Sequence, residues 1–411
     1  MYGLFSNILI TFALHCKSML MKIRDLMLGI VCCVFPVNAQ TLSRVQPSTI
    51  DPSLQTLGER LMSMKQGSII AIEPQTGAIR CLVSSSWEPD TINRAISIAY
   101  SPGSTFKVPQ TLVLESEGII NEETSYTCHE GFWRKNIHIG CHRHPSPQKL
   151  IGAIGHSCNS YFCKAFMSII DNRTNYSTQE EAINTWHAYM SSFGLGKPLG
   201  IDLPHETAGH IPDASALDST HRGSWNALTI MWIGMGQGEV TATPLQLCNL
   251  AALIANRGWW RVPHVHKPSP TRAEDAKYVL NHYIQSDSAS METVIKGMRL
   301  CVSNGTAKSI DTPLFEICGK TGTAENHGTD HSVFIGFAPM NQPQIAVCVY
   351  IENGGFGADL AAPIAALIME LSVTGKLSPR SEHHAQQWEQ FPVVPTYDET
   401  EDPFYEVMEE E

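Results

Sequence analysis

The stretch Tyr100-Ser-Pro-Gly-Ser-Thr-Phe-Lys-Val108 determines how the rest of the chain is interpreted. Pro102 and Gly103 end the preceding segment, and the apolar spacing that follows predicts a turn leading into a helix. Ser104 and Lys107 lie three residues apart in the first helical turn, so the lysine amine can reach the serine hydroxyl. A serine becomes nucleophilic when a base takes its proton, and a lysine can be that base if burial or nearby positive charge lowers its pKa.

The Ser-x-x-Lys spacing alone identifies nothing, because a chain of this length contains about one by chance. A second copy, Ser146-Pro-Gln-Lys149, lies in a proline-rich loop without a strand-turn-helix context. We interpret its lysine as a solvated loop residue. Ser104 therefore needs partners elsewhere in the sequence.

The segment Cys318-Gly-Lys-Thr-Gly-Thr-Ala324 follows a strand pattern in which two glycines leave room for a substrate backbone. Lys320 offers a cation, and Thr321 and Thr323 offer hydroxyls for an anionic group such as a carboxylate. The backbone N–H of Thr323 can complete an oxyanion hole with that of Ser104, which lies at a helix N-terminus. Taken alone, the segment would be an edge strand whose lysine opposes aggregation.

Ser157-Cys-Asn159 begins another predicted helix. A second hydroxyl between a lysine base and a leaving amine can relay a proton. An asparagine two residues further on can bind a substrate amide through both its carbonyl and its NH₂ group. On local grounds Ser157 is equally well explained as a helix cap. Ser224-Trp-Asn226 has the same form, and we interpret it as a loop turn.

The order of the predicted elements indicates the fold class. Strand patterns occupy residues 67–83 and 317–352, and helical patterns dominate from about 104 to 260, including one helix over 149–167. This order predicts an α/β (α+β) fold: a central antiparallel sheet, built from both ends of the chain and flanked by helices, plus a mostly helical subdomain. We expect the active site at the boundary between the two.

Residues 1–39 are predicted to be a signal peptide or an N-terminal membrane anchor. Met21-Lys-Ile-Arg24 supplies a positive start, an apolar run follows, and Val37-Asn-Ala39 resembles a cleavage site. Either alternative predicts an exported, periplasmic body that an N-terminal anchor could hold at the inner membrane.

The C-terminal residues 378–411 are expected to form a loose, disordered acidic tail. Residues 398–411 contain eight acidic residues and no basic one, and they account for much of the net charge of −12. No clustered basic surface is predicted, so we expect no nucleic-acid partner.

Cys128 and Cys141 bracket a loop rich in glycine and histidine, and three interpretations stay open. They can form a disulfide, because an exported protein enters an oxidising space. They can bind zinc together with nearby histidines. They can also be two reduced cysteines in a packed loop. The histidines of this loop are His129, His138, His142 and His144.

Three motifs occur in one order, as they do in penicillin-binding transpeptidases and serine β-lactamases: Ser104-x-x-Lys107, Ser157-x-Asn159 and Lys320-Thr-Gly322. Their flanks resemble the transpeptidase domain of class B penicillin-binding proteins of the elongation type. The flanking segments are Tyr100–Lys107, Ile201-Asp-Leu-Pro204, Gly236-Gln-Gly-Glu-Val-Thr-Ala-Thr-Pro244 and Phe334-Ile-Gly-Phe-Ala-Pro339. The resemblance covers about residues 55–375. It implies a β-lactamase/transpeptidase-like fold, with a penicillin-binding transpeptidase domain over 40–377.

The resemblance implies a D,D-transpeptidase acting on peptidoglycan stem peptides that end in D-Ala-D-Ala. Ser104 would attack the penultimate D-Ala carbonyl, Lys107 would deprotonate it, and Ser157 would relay the proton to the departing D-Ala. An amine from a second stem peptide would then form the cross-link. The residues implied in substrate binding are Asn159, Lys320, Thr321, Gly322 and Thr323. β-Lactams would acylate Ser104 as covalent inhibitors, no cofactor is expected, and cell-wall synthesis proteins are expected as partners.

Three alternatives belong to the same superfamily. A D,D-carboxypeptidase would use water in place of the acceptor amine. A serine β-lactamase needs a base that activates water, and Glu180-Glu-Ala-Ile-Asn184 has the Glu-x-x-x-Asn form of class A enzymes. We interpret that match as coincidence, because it lies in a polar helical surface run. A non-catalytic β-lactam sensor is the third alternative.

Overall fold

The computed structural model describes residues 47–134 and 137–394. The predicted signal peptide or anchor over 1–39 lies outside the described residues, as does the end of the acidic tail, 395–411. Across the described part of the chain, no helix has the length and apolar character needed to cross a membrane.

The described residues form eleven strands and eleven α-helices. The strands are β1 Gly67–Ile72, β2 Ile79–Ser85, β3 Ser125–Tyr126, β4 Gly131–Arg134, β5 Ile137–Gly140, β6 Gln148–Lys149, β7 Trp259–Trp260, β8 His282–Tyr283, β9 Cys318–Ala324, β10 His331–Ala338 and β11 Ile345–Ile351. The α-helices are α1 Pro52–Met62, α2 Arg94–Ser97, α3 Lys107–Ser116, α4 Leu150–Gly155, α5 Asn159–Ile170, α6 Gln179–Ser192, α7 Ala214–His221, α8 Pro244–Ala255, α9 Ser288–Asn304, α10 Ala361–Thr374 and α11 Pro379–Glu389.

A five-stranded sheet in the order β2-β1-β11-β10-β9 forms the centre of the fold. All neighbouring strands are antiparallel, and Gly67 pairs with Ile351 while Lys320 pairs with Ile335. Because β1 pairs with β11, strands from both ends of the body join in one sheet. The predicted central antiparallel sheet is confirmed.

Helices cover both faces of this sheet, so its central strands are buried throughout. Side chains alternate between the faces of a strand. In β1, Ile70 and Ile72 accordingly belong to the core shared with α8, whereas Ile69 and Ala71 belong to the core shared with α1 and α10. The first of these cores continues into the helical subdomain, which ties that subdomain firmly to the sheet.

The subdomain differs from the sequence prediction at one important place. The single helix expected over 149–167 is two helices, α4 and α5, because Ser157 has a left-handed backbone with φ of 53°. A left-handed residue cannot continue a right-handed helix. The subdomain also contains two small two-stranded sheets, β3–β6 and β4–β5, so it is less uniformly helical than predicted.

The prediction that the disordered tail begins at residue 378 is wrong. Ser378 caps α11, and the Lys65 amine donates a hydrogen bond to the Trp388 carbonyl at the end of this helix. Arg60 of α1 also pairs with Glu382 and Glu389. The helix is polar, and its contacts lie far away in sequence, so composition alone did not reveal it.

Candidate active site

The predicted nucleophile lies in a tight turn against the edge strand β9. A 3-10 turn over Gly103–Phe106 leads directly into α3, and Gly103 has φ of 53°. A Cβ at Gly103 would lie 2.5 Å from the Thr323 carbonyl oxygen, so only glycine fits between the turn and the strand. The Gly103 N–H also donates to the Gly236 carbonyl at 2.9 Å. These contacts place Ser104 beside β9.

Lys107 joins the first two motifs. Its side chain is completely buried, and its Nζ lies 2.9 Å from Ser104 Oγ and 3.1 Å from Ser157 Oγ. Nζ also lies 2.9 Å from the Ser157 carbonyl oxygen and 2.5 Å from Asn159 Oδ1. An ammonium group has only three N–H donors for these four oxygens. A neutral amine could donate two N–H groups and accept the Ser104 proton with its lone pair.

The surroundings favour that neutral form. Burial is the main reason that the pKa of Lys107 is lowered to about 7, and the positive charge of Lys320 lowers it further. Burial likewise lowers the pKa of Lys320 to about 8. A base is most effective when its pKa is close to the working pH. Lys107 therefore meets the chemical requirement for a lysine base, because burial and nearby positive charge lower its pKa.

The second motif lies in the break between α4 and α5. The interpretation of Ser157 as the helix cap is wrong, because the cap of α5 is Cys158, whose Sγ accepts the Tyr161 N–H at 3.4 Å. Asn159 is held on both sides of its amide, since Nδ2 donates to the Gly140 carbonyl at 2.7 Å while Oδ1 accepts from Lys107. The Ser157 hydroxyl and the Asn159 amide thus converge on one lysine.

The third motif forms the neighbouring wall of the site. A Cβ at Gly322 would lie 2.9 Å from Thr105 Cγ2, so the glycine lets β9 approach the nucleophile turn. Lys320 is completely buried, and its Nζ donates to the Thr321 carbonyl at 2.9 Å. The alternative of an exposed lysine that protects an edge strand is therefore wrong. Thr323 is half-buried, like Ser104.

One polar contact in this wall has no counterpart among the predicted site residues. Thr306 Oγ1 lies 2.6 Å from Thr321 Oγ1, and this hydrogen bond, in which either hydroxyl can donate, holds the Thr321 side chain in place. Thr306 follows α9 and enters the site only through the packing of that helix on β9. No local signal in the sequence could have identified it.

The weaker sequence matches do not join the site. Lys149 is exposed and pairs with Glu123. Asn226 stabilises a turn by accepting the Leu228 N–H at 2.9 Å, as expected for a loop. Glu180 is exposed in the first turn of α6.

The cysteine loop folds into a cluster of possible metal ligands next to the second motif. The ligand atoms of four residues lie within 4.8 Å of one another: Cys128, Cys141, His144 and Cys158. We call these residues the three-cysteine cluster. Cys128 and Cys158 are buried, and all nine cysteines in the described ranges are free thiols, so no Cys128–Cys141 disulfide is present there.

The donor set of the three-cysteine cluster fits zinc, which prefers four tetrahedral ligands of thiolate and imidazole type. Of the four histidines named from the sequence, only His144 belongs to the cluster. Cys158 was missed as a ligand because it lies in the helical part of the sequence rather than in the loop. Cys141 Sγ also accepts the backbone N–H groups of Asn159 at 3.0 Å and Ser160 at 3.4 Å. The cluster therefore contacts the helix end that carries the second motif.

A sequence profile described as the penicillin binding protein transpeptidase domain matches residues 67–370. The chain belongs to this family. The match spans most of the chain and includes all three motifs, from Ser104 to Gly322.

Curated proteins of this penicillin-binding family are similar to this chain over most of its length. The peptidoglycan D,D-transpeptidase MrdA of Acinetobacter baumannii is 31% identical over 375 residues, covering 77% of this chain and 52% of that protein. The peptidoglycan D,D-transpeptidase PbpA of Mycobacterium tuberculosis is 30% identical, covering 80% of this chain and 72% of that protein. This chain thus spans about half the length of the MrdA relatives it matches.

Solved structures of penicillin-binding proteins share the fold. Pseudomonas aeruginosa PBP2, solved in complex with WCK 5153, superposes with a TM-score of 0.71 at 29% identity, covering 82% of this chain and 78% of that one. A ceftriaxone acyl-enzyme complex of M. tuberculosis penicillin-binding protein A superposes with a TM-score of 0.63 at 26% identity, covering 80% of each chain. The transpeptidase-like fold expected from the sequence is confirmed.

Proposed function

We propose that this protein is a serine D,D-transpeptidase that cross-links peptidoglycan stem peptides through an acyl-enzyme on Ser104. The observation that carries the proposal is the completely buried Lys107 amine, which lies within hydrogen-bonding distance of Ser104 Oγ, Ser157 Oγ and Asn159 Oδ1. Membership of the transpeptidase family and relatives named peptidoglycan D,D-transpeptidases support it.

Acylation would begin with the neutral Lys107 amine taking the Ser104 proton. The serine oxygen attacks the penultimate D-Ala carbonyl, and the backbone N–H groups of Ser104 and Thr323 stabilise the oxyanion. As the C–N bond breaks, the Ser157 hydroxyl gives its proton to the departing D-Ala nitrogen and takes one from the Lys107 ammonium. Lys107 ends the step neutral, ready to activate an acceptor amine.

Substrate binding would use three polar side chains near the two buried lysines: Asn159 and Thr323, which are half-buried, and Thr321, which is buried. Asn159 is positioned to hold the donor peptide amide, and Thr321 and Thr323 are the hydroxyl donors for the terminal carboxylate. Because Lys320 is buried and donates to the Thr321 carbonyl, its role would be a positive potential under the carboxylate rather than a direct contact. Such a potential favours a substrate with a free C-terminal carboxylate.

β-Lactams are proposed as covalent inhibitors at Ser104, supported by the relative solved as a ceftriaxone acyl-enzyme. Peptidoglycan cross-linking takes place outside the cytoplasm, so we also propose an exported, periplasmic protein that works with other cell-wall synthesis proteins. An anchor at the inner membrane is part of this proposal. The predicted export segment, 1–39, supports this location.

We further propose that the three-cysteine cluster binds one zinc ion. Three thiols and an imidazole with ligand atoms within 4.8 Å of one another match a structural zinc site. Zinc would hold Cys158, and with it the neighbouring Ser157 and Asn159, in the arrangement that meets Lys107. The ion would be structural, and no chemical step would pass through it.

The activity is tested by incubating the purified protein with a donor stem peptide ending in D-Ala-D-Ala and an acceptor amine, then identifying products by mass spectrometry. We expect D-Ala release and a donor–acceptor product. Ser104→Ala should abolish both, and Ser157→Ala should lower both by at least tenfold. Ser224→Ala, in the exposed Ser-x-Asn match, is the matched control and should change neither.

Two outcomes would replace the proposal. Release of D-Ala without a cross-linked product, at saturating acceptor, would identify a carboxypeptidase. No release of D-Ala, together with rapid hydrolysis of benzylpenicillin, would identify a β-lactamase.

A further inference from the structure

We propose that the three-cysteine cluster is also a redox modification site, in which a Cys141–Cys158 disulfide forms when zinc is absent and inactivates the enzyme. The inference rests on the proposed function in one respect, since zinc and the disulfide compete for the same sulfur atoms. It goes beyond that function because it assigns an oxidised, inactive state of the site.

The two sulfur atoms meet at the first turn of α5. Cys158 is the cap of this helix, and Cys141 Sγ accepts the N–H groups of the next two residues, Asn159 and Ser160. The two sulfurs lie within 4.8 Å of each other. A disulfide bond is about 2.0 Å long, so closing it requires an approach of at most about 2.8 Å.

That approach would disturb the catalytic geometry. Cys158 is flanked by Ser157 and Asn159, and both of these contact the Lys107 amine at 2.5 to 3.1 Å. A shift of about 1 Å takes a hydrogen bond out of its normal range, and errors of this size in active sites can cost about 100-fold in rate. The oxidised sulfur of Cys141 would also be a poorer acceptor for the Asn159 N–H than a thiolate.

A dissolved oxidant can reach Cys141 more easily than the other described cysteines. Cys141 is half-buried, whereas the other eight described cysteines are buried. A cavity of about 430 Å³ also opens beside the cluster, lined by Cys128, His129, Glu130, His142, Arg143 and His144. The cavity reaches the cluster at Cys128 and His144, and the partial exposure of Cys141 itself lets a small disulfide reagent attack it without unfolding the core.

The reaction is a thiol–disulfide exchange with a disulfide of the glutathione type or of an exported oxidoreductase. The Cys141 thiolate attacks one sulfur of this oxidant, forming a mixed disulfide and releasing the first thiolate. The Cys158 thiolate then attacks Cys141 Sγ, forming the internal disulfide and releasing the second thiolate. Two electrons pass from the protein to the oxidant. A zinc ion at the cluster would block both attacks, because its bonds occupy the thiolates.

The test compares zinc-loaded and metal-free forms of the full chain, each incubated with oxidised glutathione. Non-reducing peptide mapping identifies the disulfide, and intact mass follows acylation by benzylpenicillin. We expect a Cys141–Cys158 disulfide in the metal-free form and acylation slowed by at least tenfold. A dithiol reductant should restore the rate, and the zinc-loaded form should resist oxidation.

Two variants supply a matched comparison, because each removes one ligand of the cluster. Cys128→Ser keeps both cysteines of the proposed disulfide, so oxidised glutathione should still slow its acylation relative to its own reduced form. Cys141→Ser lacks the attacking thiol, so the oxidant should leave its acylation rate unchanged. Comparing each variant with itself removes any general effect of losing a ligand.

Three results would overturn the inference: a disulfide between Cys128 and Cys141, no disulfide in the metal-free form, or an oxidised form that acylates at the reduced rate. Failure of the proposed function has a different signature. A reduced, zinc-loaded protein that is never acylated would contradict the role of Ser104. Peptide mapping would still decide whether the disulfide forms.

Discussion

Lys107 gives the sharpest quantitative prediction, because acylation requires its neutral amine. With a pKa of about 7, the neutral fraction rises from about 9% at pH 6 to about 90% at pH 8. The rate of benzylpenicillin acylation should therefore rise about tenfold over this range and level off above pH 8. A lysine with an ordinary pKa of about 10.5 would give a rate that rises about tenfold for each pH unit through pH 9. The assay is stopped-flow or intact-mass acylation of the zinc-loaded protein, and a rate without a plateau by pH 9 would refute this account.

Replacing Lys320 tests the cause of the low pKa. In Lys320→Met the second positive charge is lost, so the midpoint of the pH profile should move upward. It should stay below 10.5, because burial is the larger cause of the lowered pKa. Lys65→Met is the control, since Lys65 is also buried and has a pKa lowered to about 8 by burial, yet it contacts α11. A midpoint that moves equally in both variants would show that Lys320 has no specific effect.

Three further predictions concern the supports of the site. Gly103→Ala should cost about 1–3 kcal/mol in unfolding free energy and abolish penicillin labelling. Gly118→Ala is the control, because Gly118 has φ of 65° but a Cβ there would meet no neighbouring atom within 4 Å, so labelling should be kept. Equal loss of labelling in both variants would contradict the steric argument. Elemental analysis should find one zinc ion per chain, absent from Cys158→Ala but kept in the control Cys163→Ala. A chelator should lower the melting temperature. Zinc that is still bound in Cys158→Ala would exclude the three-cysteine cluster as the zinc site. Tyr350→Phe removes the 3.2 Å hydrogen bond from the Tyr350 hydroxyl to the Ser101 carbonyl, just before the turn that carries Ser104, and should cost about 1 kcal/mol by denaturant unfolding, with unchanged stability as the contrary result.

Much of the fold could be predicted, because its signals are local and strong. The strands β1 and β2 lie where the strand pattern over 67–83 predicts them, since short apolar runs between turn residues leave few alternatives. The helix α8 lies in the region predicted to be helical, and its start is locally encoded: Thr243 caps it, Pro244 follows, and Gln246 completes the capping box. The pairing of β1 with β11 followed from strand patterns at both ends of the chain.

The proximity of the three motifs was harder to predict from the sequence. Spacing places Ser104 near Lys107, but no local rule brings Ser157 or Lys320 to them. The family resemblance supplied that expectation, and the structure shows the physical reason: glycines at 103 and 322 let the turn and the strand approach within contact distance.

The features that were missed depend on contacts between distant parts of the chain. Cys158 joins the cluster only because Ser157 interrupts the helix, and a left-handed serine has no sequence signature. Thr306 reaches Thr321 only through the packing of α9 on β9. The helix α11 is polar along its exposed side and depends on Lys65 and Arg60 for its contacts.

In the proposed function, Ser104 forms the acyl-enzyme, and this intermediate persists until an amine reacts with it. The most direct measurement is the intact mass of the protein mixed with benzylpenicillin, followed for hours, with peptide mapping of the adduct. We expect one stable adduct per chain, located on Ser104 and absent from Ser104→Ala. An adduct that survives in Ser104→Ala, or a rapid return to the free mass while penicillin is consumed, would contradict it.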